Sequence, residues 1–365
     1  MTQIVRLDEF AKSQAILRQD AWRGSMRAMT EVVQTQRHSE YSVFWLKENY
    51  EYLHALQAMQ GADAHDFMMD YAPFYTSASA WLEDFPQYYR FILGMVKCLE
   101  PALQGGQYRT LCGHVRQKSM ANTELNDIQR AEALYLLQAE DSDLQQRLLD
   151  YGRNSAFFAV PNKTACYYLT HIVFYETHYG ARVTDTMCHY KTALIYAGCF
   201  AYLDQNIDLL AEISLALTFI QEKVPWLWRD RLLSISFDYS PIDPATAMVD
   251  DYHTYLMARW AQSSLEHVPL QFDLSMHKAC VTMMRSERSH IHALWAMSTL
   301  YRDQAGADPN CADQNFDGAG WLSHALRQNG GHATARVLEA LRAQVSETAE
   351  FLDHFMRRPQ NRLQV

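Results

Sequence analysis

His171 and His178 stand seven residues apart in the stretch Asn162 to Gly180, N-K-T-A-C-Y-Y-L-T-H-I-V-F-Y-E-T-H-Y-G. On a helix that spacing puts both imidazoles on one face, within about 20° of each other and about 10 Å apart along the axis. The distance is long for joint ligation of a metal, for which i, i+4 is the working spacing on one helix. It suits two points on one pocket wall. Thr164, Tyr167, Tyr168, Phe174 and Tyr175 share that face, while Ala165, Leu169, Ile172 and Val173 take the other. A solvated face would carry Lys, Glu and Gln. Rings and imidazoles there predict a helix buried on both sides, its His/Tyr side lining a polar cavity. A neutral histidine is the natural general base near pH 7, and tyrosine hydroxyls satisfy its second nitrogen. The competing structural reading is a pair of buried histidines, each hydrogen-bonded to a Tyr or Thr. Glu176 falls on the apolar side and needs an Arg or His partner if it is buried.

The carboxylates that follow are Asp204, Asp208 and Glu212, four apart in turn. On one continuous helix they would make an acidic row able to bind a cation. A break at Asp204-Gln205-Asn206 instead makes Asn206 a helix cap and puts Asp208 in the first turn, where the helix dipole favours a carboxylate. Glu212 escapes that explanation, because I-D-L-L-A-E-I-S-L-A-L is apolar nearly all round. His171, His178, Tyr175 and Glu212 are therefore the candidate catalytic set. Glu212 with His171 is the candidate pair for a divalent metal, iron or zinc; no other cofactor can be named.

Other patterns are weaker. Glu51/His54 and Glu287/His290 are E-x-x-H pairs of the kind di-iron bundles use, but some 236 positions separate them, more than one four-helix bundle needs. Asp250-Asp251 opens like an isoprenoid-synthase motif without its second half, and a helix dipole accounts for it. His253 and His332 fall near helix starts, where in a ring of hairpins they would rim the same cavity as His171. There is no phosphate-binding glycine loop, no G-x-S-x-G and no dinucleotide fingerprint.

What positions these residues is helical almost throughout. Periodicity predicts helices over 8–36, 40–60, 85–102, 123–151, 163–179, 185–203, 207–222, 243–265, 275–302, 318–328 and 332–356, and no strand. No linker divides the chain, so the expectation is one all-helical domain, residues 1–365. It has an aromatic-rich part, 1–120, and a site-bearing part, 121–356. The aromatics of S-V-F-W-L-K-E-N-Y-E-Y-L-H-A-L read as core. Hydrophobic residues are 48% and charged residues 20%, the balance of an ordinary globular protein. The net charge of −10 argues against a nucleic-acid partner, and no apolar run approaches the roughly 18 residues a membrane span needs. Seven scattered cysteines without a C-x-x-C pair, and an N-terminus without an apolar signal core, predict free thiols and a cytoplasmic protein.

The strings F-W-L-K-E-N, F-P-Q-Y-Y-R-F and L-T-H-I-V-F-Y-E-T-H-Y-G resemble a group of all-helical bacterial proteins that carries no assigned activity. The resemblance spans most of the chain and implies a bacterial source and a single helical architecture.

The fold expected is all-α: stacked helical hairpins or a closed α/α toroid. Two functions fit. One is an enzyme with a buried His/Tyr/Glu-lined pocket for a small molecule or peptide, with or without a metal. The other is a helical scaffold that holds a partner protein or peptide on a concave face. Either is compatible with a homo-oligomer. The first is favoured because the unusual residues cluster on a helix that reads as buried.

Overall fold

The computed structural model describes residues 7–40, 42–60, 64–183, 185–235, 238–242, 249–272, 280–283, 288–307 and 317–356. In chain order the helices are α1 (Leu7–Glu31), α2 (Val43–Gln60), α3 (His65–Met68), α4 (Ala72–Asp84), α5 (Tyr89–Leu103) and α6 (Gln107–Gln117). Then come α7 (Asp127–Leu137), α8 (Ser142–Arg153), α9 (Lys163–Glu176), α10 (Lys191–Asp204), α11 (Ile207–Phe219) and α12 (Trp226–Ser234). The last are α13 (Tyr252–Glu266), α14 (Ile291–Ala307), α15 (Gly318–Gln328), α16 (His332–Gln344) and α17 (Thr348–Met356). The fold class is all-α. No helix among the described residues is long and apolar enough to cross a membrane.

One expectation needs correction. Tyr239–Ile242 (β1) pairs antiparallel with Cys280–Met283 (β2), so strand is present where none was predicted. β2 falls inside the helix expected over 275–302. Its C-V-T-M string places two β-branched residues side by side, which suits a strand better than a helix. Pro241 is tolerated because a two-stranded ribbon is all edge. Four helices went unread: the four-residue α3, α4, whose second residue is a proline, and the short α6 and α12.

The chain divides into two compact units, Met1–Thr123 with Phe237–Met284, and Glu124–Ser236 with Arg285–Val365. In the first, Trp45, Tyr50 and Tyr52 of the aromatic stretch are core as expected, whereas Phe44 is exposed. Trp45 stacks on Trp81 at 5.9 Å and meets Phe74 at 5.6 Å, and Tyr71 donates to Asn49 at 2.6 Å. Arg37 lies beneath them, its side chain only 2% exposed. It donates to Glu48 at 2.6 and 2.8 Å and to Asp250 at 2.6 Å, and its guanidinium sits 3.6 Å from the centre of the Tyr252 ring. Asp250 and Asp251 stand at the start of α13. Asp250 also accepts from the Tyr252 N–H, and Asp251 accepts from the Met283 N–H.

In the second unit α10 and α11 are buried on nearly every face, as their unbroken apolar sequences require. The break between them falls at the expected place. Gln205 is left-handed, and the Asn206 side chain accepts from the Leu209 N–H at 3.2 Å. Four further helices are capped the same way: α7 by Asn126 onto Ile128, α8 by Asp141 onto Leu144, α9 by Asn162 onto Ala165 and α15 by Asp317 onto Gly320. The helix expected over 123–151 is two helices. α7 stops at left-handed Gln138, and the cap at Asp141 starts α8. Cys98, Cys112, Cys166, Cys188 and Cys199 are free; Cys311 and the Cys280 side chain lie outside the described residues, as does Glu287 of the second E-x-x-H pair.

Candidate functional site

α9 carries most of the chemistry, and two clusters grow from it within the second unit. The first is made with α11. The Thr170 hydroxyl donates to Glu212 Oε2 at 2.6 Å, and the Tyr167 hydroxyl donates to Asp208 at 2.6 Å. Glu212 is buried, its side chain 4% exposed, whereas the His171 ring is 36% exposed and stands 3.8 Å from it through Nδ1. Nδ1 also lies 2.7 Å from the Tyr167 carbonyl. A carbonyl only accepts, so Nδ1 carries the proton and Nε2 is the nitrogen left for a ligand. Carboxylate oxygens of Asp208 and Glu212 come within 4.8 Å of each other. These two acids are close enough to share a divalent metal, and the two hydroxyls would orient the carboxylates from outside.

The second cluster forms where α9 ends. The helix stops at Glu176, three residues short of the expected end at 179. His178 (φ 50°), Tyr179 (φ 55°) and Gly180 (φ 87°) follow in the left-handed region. The chain closes with Tyr179 N–H donating to the Phe174 carbonyl at 2.8 Å. Gly180 cannot be replaced cheaply: its backbone is left-handed, and a Cβ there would sit 2.7 Å from the Phe219 ring. Left-handed Gln138 and Gln205 stand alone at helix ends, whereas His178 and Tyr179 are consecutive and neither is glycine. Such residues cost of order 1 kcal/mol each and persist where the surroundings fix them.

This turn, the α7–α8 break and the first turns of α8 line a half-open cavity of about 480 Å³. Tyr175, Glu176, His178 and Arg182 line one side. Tyr135, Leu134 and Ala131 come from α7, Glu140 and Asp141 from the break, and Leu144 and Leu148 from α8. Tyr135 is central: its ring stacks on Tyr175 (6.0 Å, 21°) and lies 5.2 Å from His178. Tyr175 in turn lies edge-on to His171 at 5.9 Å.

Glu176 is the group that sequence reading flagged without assigning a role. Its partner is neither Arg nor His but Tyr190, whose hydroxyl donates to both carboxylate oxygens at 2.9 Å. Gly152 of α8 makes that possible, because a Cβ at 152 would collide with the Tyr190 ring. Burial raises the Glu176 carboxyl to about 7; the Tyr190 hydrogen bond and the charge of Arg182 oppose the rise. Burial, and then the neighbouring Glu176 charge, push the Tyr190 phenol up as well. A carboxyl that titrates near neutrality beside a ligand-sized cavity is equipped to accept and return a proton.

Of the candidate set, Tyr175 and His178 line the cavity, while His171 and Glu212 sit together beyond Tyr175. Both imidazoles are half-buried rather than largely buried. They do not share a helical face, because the helix has ended before His178. Neither His171 nor His332 is among the residues lining this cavity. The signal for Glu176 was present in the sequence as a carboxylate on an apolar helical side. The signal for Tyr190 was not.

Fold and cavity together define an all-α protein with an acid-lined, ligand-sized pocket in its second unit. The chain belongs to the family described as a domain of unknown function (DUF6902), whose model matches residues 1–358. No curated protein and no solved structure matches it.

Proposed function

We propose that the cavity between α7, α8 and the end of α9 is the working site of an enzyme that binds a small molecule and exchanges a proton with it through Glu176. The observation that carries this reading is a mostly buried carboxyl, titrating near 7, held by a neutral hydroxyl at the wall of a cavity of about 480 Å³. That volume suits a small organic ligand rather than a protein segment. The side chains of Leu134, Leu144 and Leu148 give it an apolar lining for the body of a ligand. The rings of Tyr135 and Tyr175 offer flat faces, and His178 and Arg182 offer polar contacts near the carboxyl. In its protonated form Glu176 is a general acid; ionised, it is a general base, and Tyr190 fixes which way its oxygens point.

His171 and Glu212 act behind this wall. The Thr170–Glu212 hydrogen bond ties α9 to α11, and the His171 ring abuts Tyr175, so this cluster positions the tyrosine. A metal at Glu212, Asp208 and His171, iron or zinc, would act from the same place.

The test is a thermal-shift screen of the full chain against a broad small-molecule library at pH 6 and pH 8, followed by turnover assays on the hits. The expected result is a ligand that raises Tm of the wild type by several degrees and loses that effect in Tyr175→Ala and Glu176→Gln. Turnover should show an inflection near pH 7 that Glu176→Gln abolishes. Hits that bind both variants as well as the wild type would place the working site elsewhere.

A further inference from the structure

The charge and ring content of this cavity point to a class of ligand. Resting on the reading above, we infer that the pocket selects an organic cation: a molecule with a protonated amine and an apolar or aromatic body.

Three carboxylates line the cavity, Glu140, Asp141 and Glu176, against one arginine, Arg182. Asp141 is already paired with Arg130 and caps α8, so it is not open for a ligand. Glu140 and Glu176 remain for one, with only Arg182 opposing them. An anionic ligand would therefore enter against the local charge. Beside Glu176 stand the aromatic faces of Tyr135 and Tyr175, stacked at 6.0 Å, with the His178 ring 5.2 Å from Tyr135. Ring faces carry negative charge density and attract an ammonium group, and a carboxylate beside them adds a direct ion pair. Leu134, Leu144 and Leu148 add aliphatic lining that suits the uncharged body. An alcohol or a thiol would use the same apolar wall but would gain only a neutral hydrogen bond from the carboxylates, without the ion pair.

The groups around the Glu176 carboxyl then fix how binding responds to pH. Tyr190 donates to it from the 185–190 segment, and Arg182 lowers its pKa from the turn after α9. Arg153, at the end of α8, acts on Tyr190. His178, Glu140 and Asp141 share the cavity wall. An incoming ammonium adds a positive charge that favours the ionised carboxylate, so binding expels the proton that Glu176 holds at acid pH. The amine keeps its own proton throughout. For a carboxyl at about 7, affinity should rise about tenfold from pH 6 to pH 8.

Calorimetry on the full chain with three probes of one shape tests this: 2-phenylethylamine, 2-phenylethanol and 3-phenylpropionate. The expected result is that the amine binds at least about tenfold more tightly than the alcohol or the acid. Its dissociation constant should fall about tenfold between pH 6 and pH 8. In Glu176→Gln the pH dependence should vanish; in Tyr135→Leu affinity should drop about fivefold with the pH dependence kept. Far-UV spectra and melts confirm that both variants fold. Binding of the alcohol or the acid as tightly as the amine would overturn the inference. So would a pH-independent amine affinity in the wild type, or no binding by any of the three. A neutral or anionic hit from the library screen that needs Glu176 would sink the cation assignment and leave the working-site reading standing. A failure of every hit to need Glu176 or Tyr175 would sink both.

Discussion

Arg37 in the first unit and Glu176 in the second are both ionisable groups removed from water, and they are handled in opposite ways. Arg37 is surrounded by its counter-charges. Burial alone would lower its pKa, but hydrogen bonds to Glu48 and Asp250 more than reverse that, and the Tyr252 ring covers its face. Nothing about it is left to titrate. Glu176 receives one neutral hydroxyl and the charge of an exposed Arg182, and its carboxyl moves into the neutral range. A charge given its full complement is a structural element. A charge given half of one, at the edge of a cavity, is a proton held ready.

The largest effect should come from breaking the complete set. Arg37→Met keeps the length and apolar stem but removes the guanidinium that Glu48 and Asp250 share, leaving Glu48 with His38 alone, at a cost of about 3–5 kcal/mol. Urea unfolding followed by circular dichroism measures it. A loss under about 1 kcal/mol would mean that the two acids find other partners and that the contrast with Glu176 is overstated.

Glu176→Gln should act in the opposite direction, and only at some pH values. The folded carboxyl titrates at about 7 and the unfolded one near 4.5. Below about pH 4.5 both states hold the proton, so the group costs nothing. Between those values the folded state keeps a proton that the unfolded state releases, and stability falls as pH rises. Above 7 the full cost is present, about 3 kcal/mol for a displacement of this size. Glutamine keeps an acceptor for the Tyr190 hydroxyl and never ionises. The variant should therefore match the wild type near pH 4.5 and exceed its stability by up to about 3 kcal/mol at pH 8. Equal stabilities at pH 8 would show that Glu176 is no more costly to ionise than a surface carboxylate.

Gly152→Ala asks whether the pair depends on the close approach of α8 to the Tyr190 ring. A methyl group at 152 must displace that ring, at about 1–3 kcal/mol for overpacking. The same variant should disturb the cavity, so amine binding, if present, should weaken along with stability. Unchanged stability would mean that the ring moves aside freely and that Tyr190 is a loose partner.

How much of this was legible can be seen along α9 itself. The start at Asn162, the apolar side through Leu169, Ile172 and Val173, and the break at Asn206 all follow from local rules that the sequence states openly: a capping side chain, a 3.6-residue period, a first-turn carboxylate. The end of α9 does not. Its last three expected residues leave the helix in left-handed backbone at His178 and Tyr179, residue types with no preference for it, so only tertiary contacts decide the turn. The break at 138–141 was hidden because apolar spacing continues across it, although Asp141 ahead of Ser142-Asp143-Leu144 has the chemistry of a cap. That break builds half of the cavity. Glu176 was visible as an anomaly, but its partner arrives fourteen positions later, from a 3₁₀ segment that no periodicity joins to it.

Tyr190→Phe should give the smallest effect and the sharpest one. The substitution keeps the ring that packs over Gly152 and removes only the hydroxyl, so little packing is lost. At pH 5 Glu176 is protonated, and the missing hydrogen bond should cost about 1 kcal/mol or less. At neutral pH the hydroxyl matters more, because a donor favours the charged form of a carboxyl. Without it the Glu176 midpoint should move further up from about 7, and the stability difference between Tyr190→Phe and the double variant Glu176→Gln/Tyr190→Phe should develop at correspondingly higher pH. Carbon-detected NMR of the side-chain carboxyl reads that midpoint directly. A midpoint that stays in place would show that burial alone sets it; one that falls would mean the hydroxyl was holding the proton on the carboxyl rather than helping it leave.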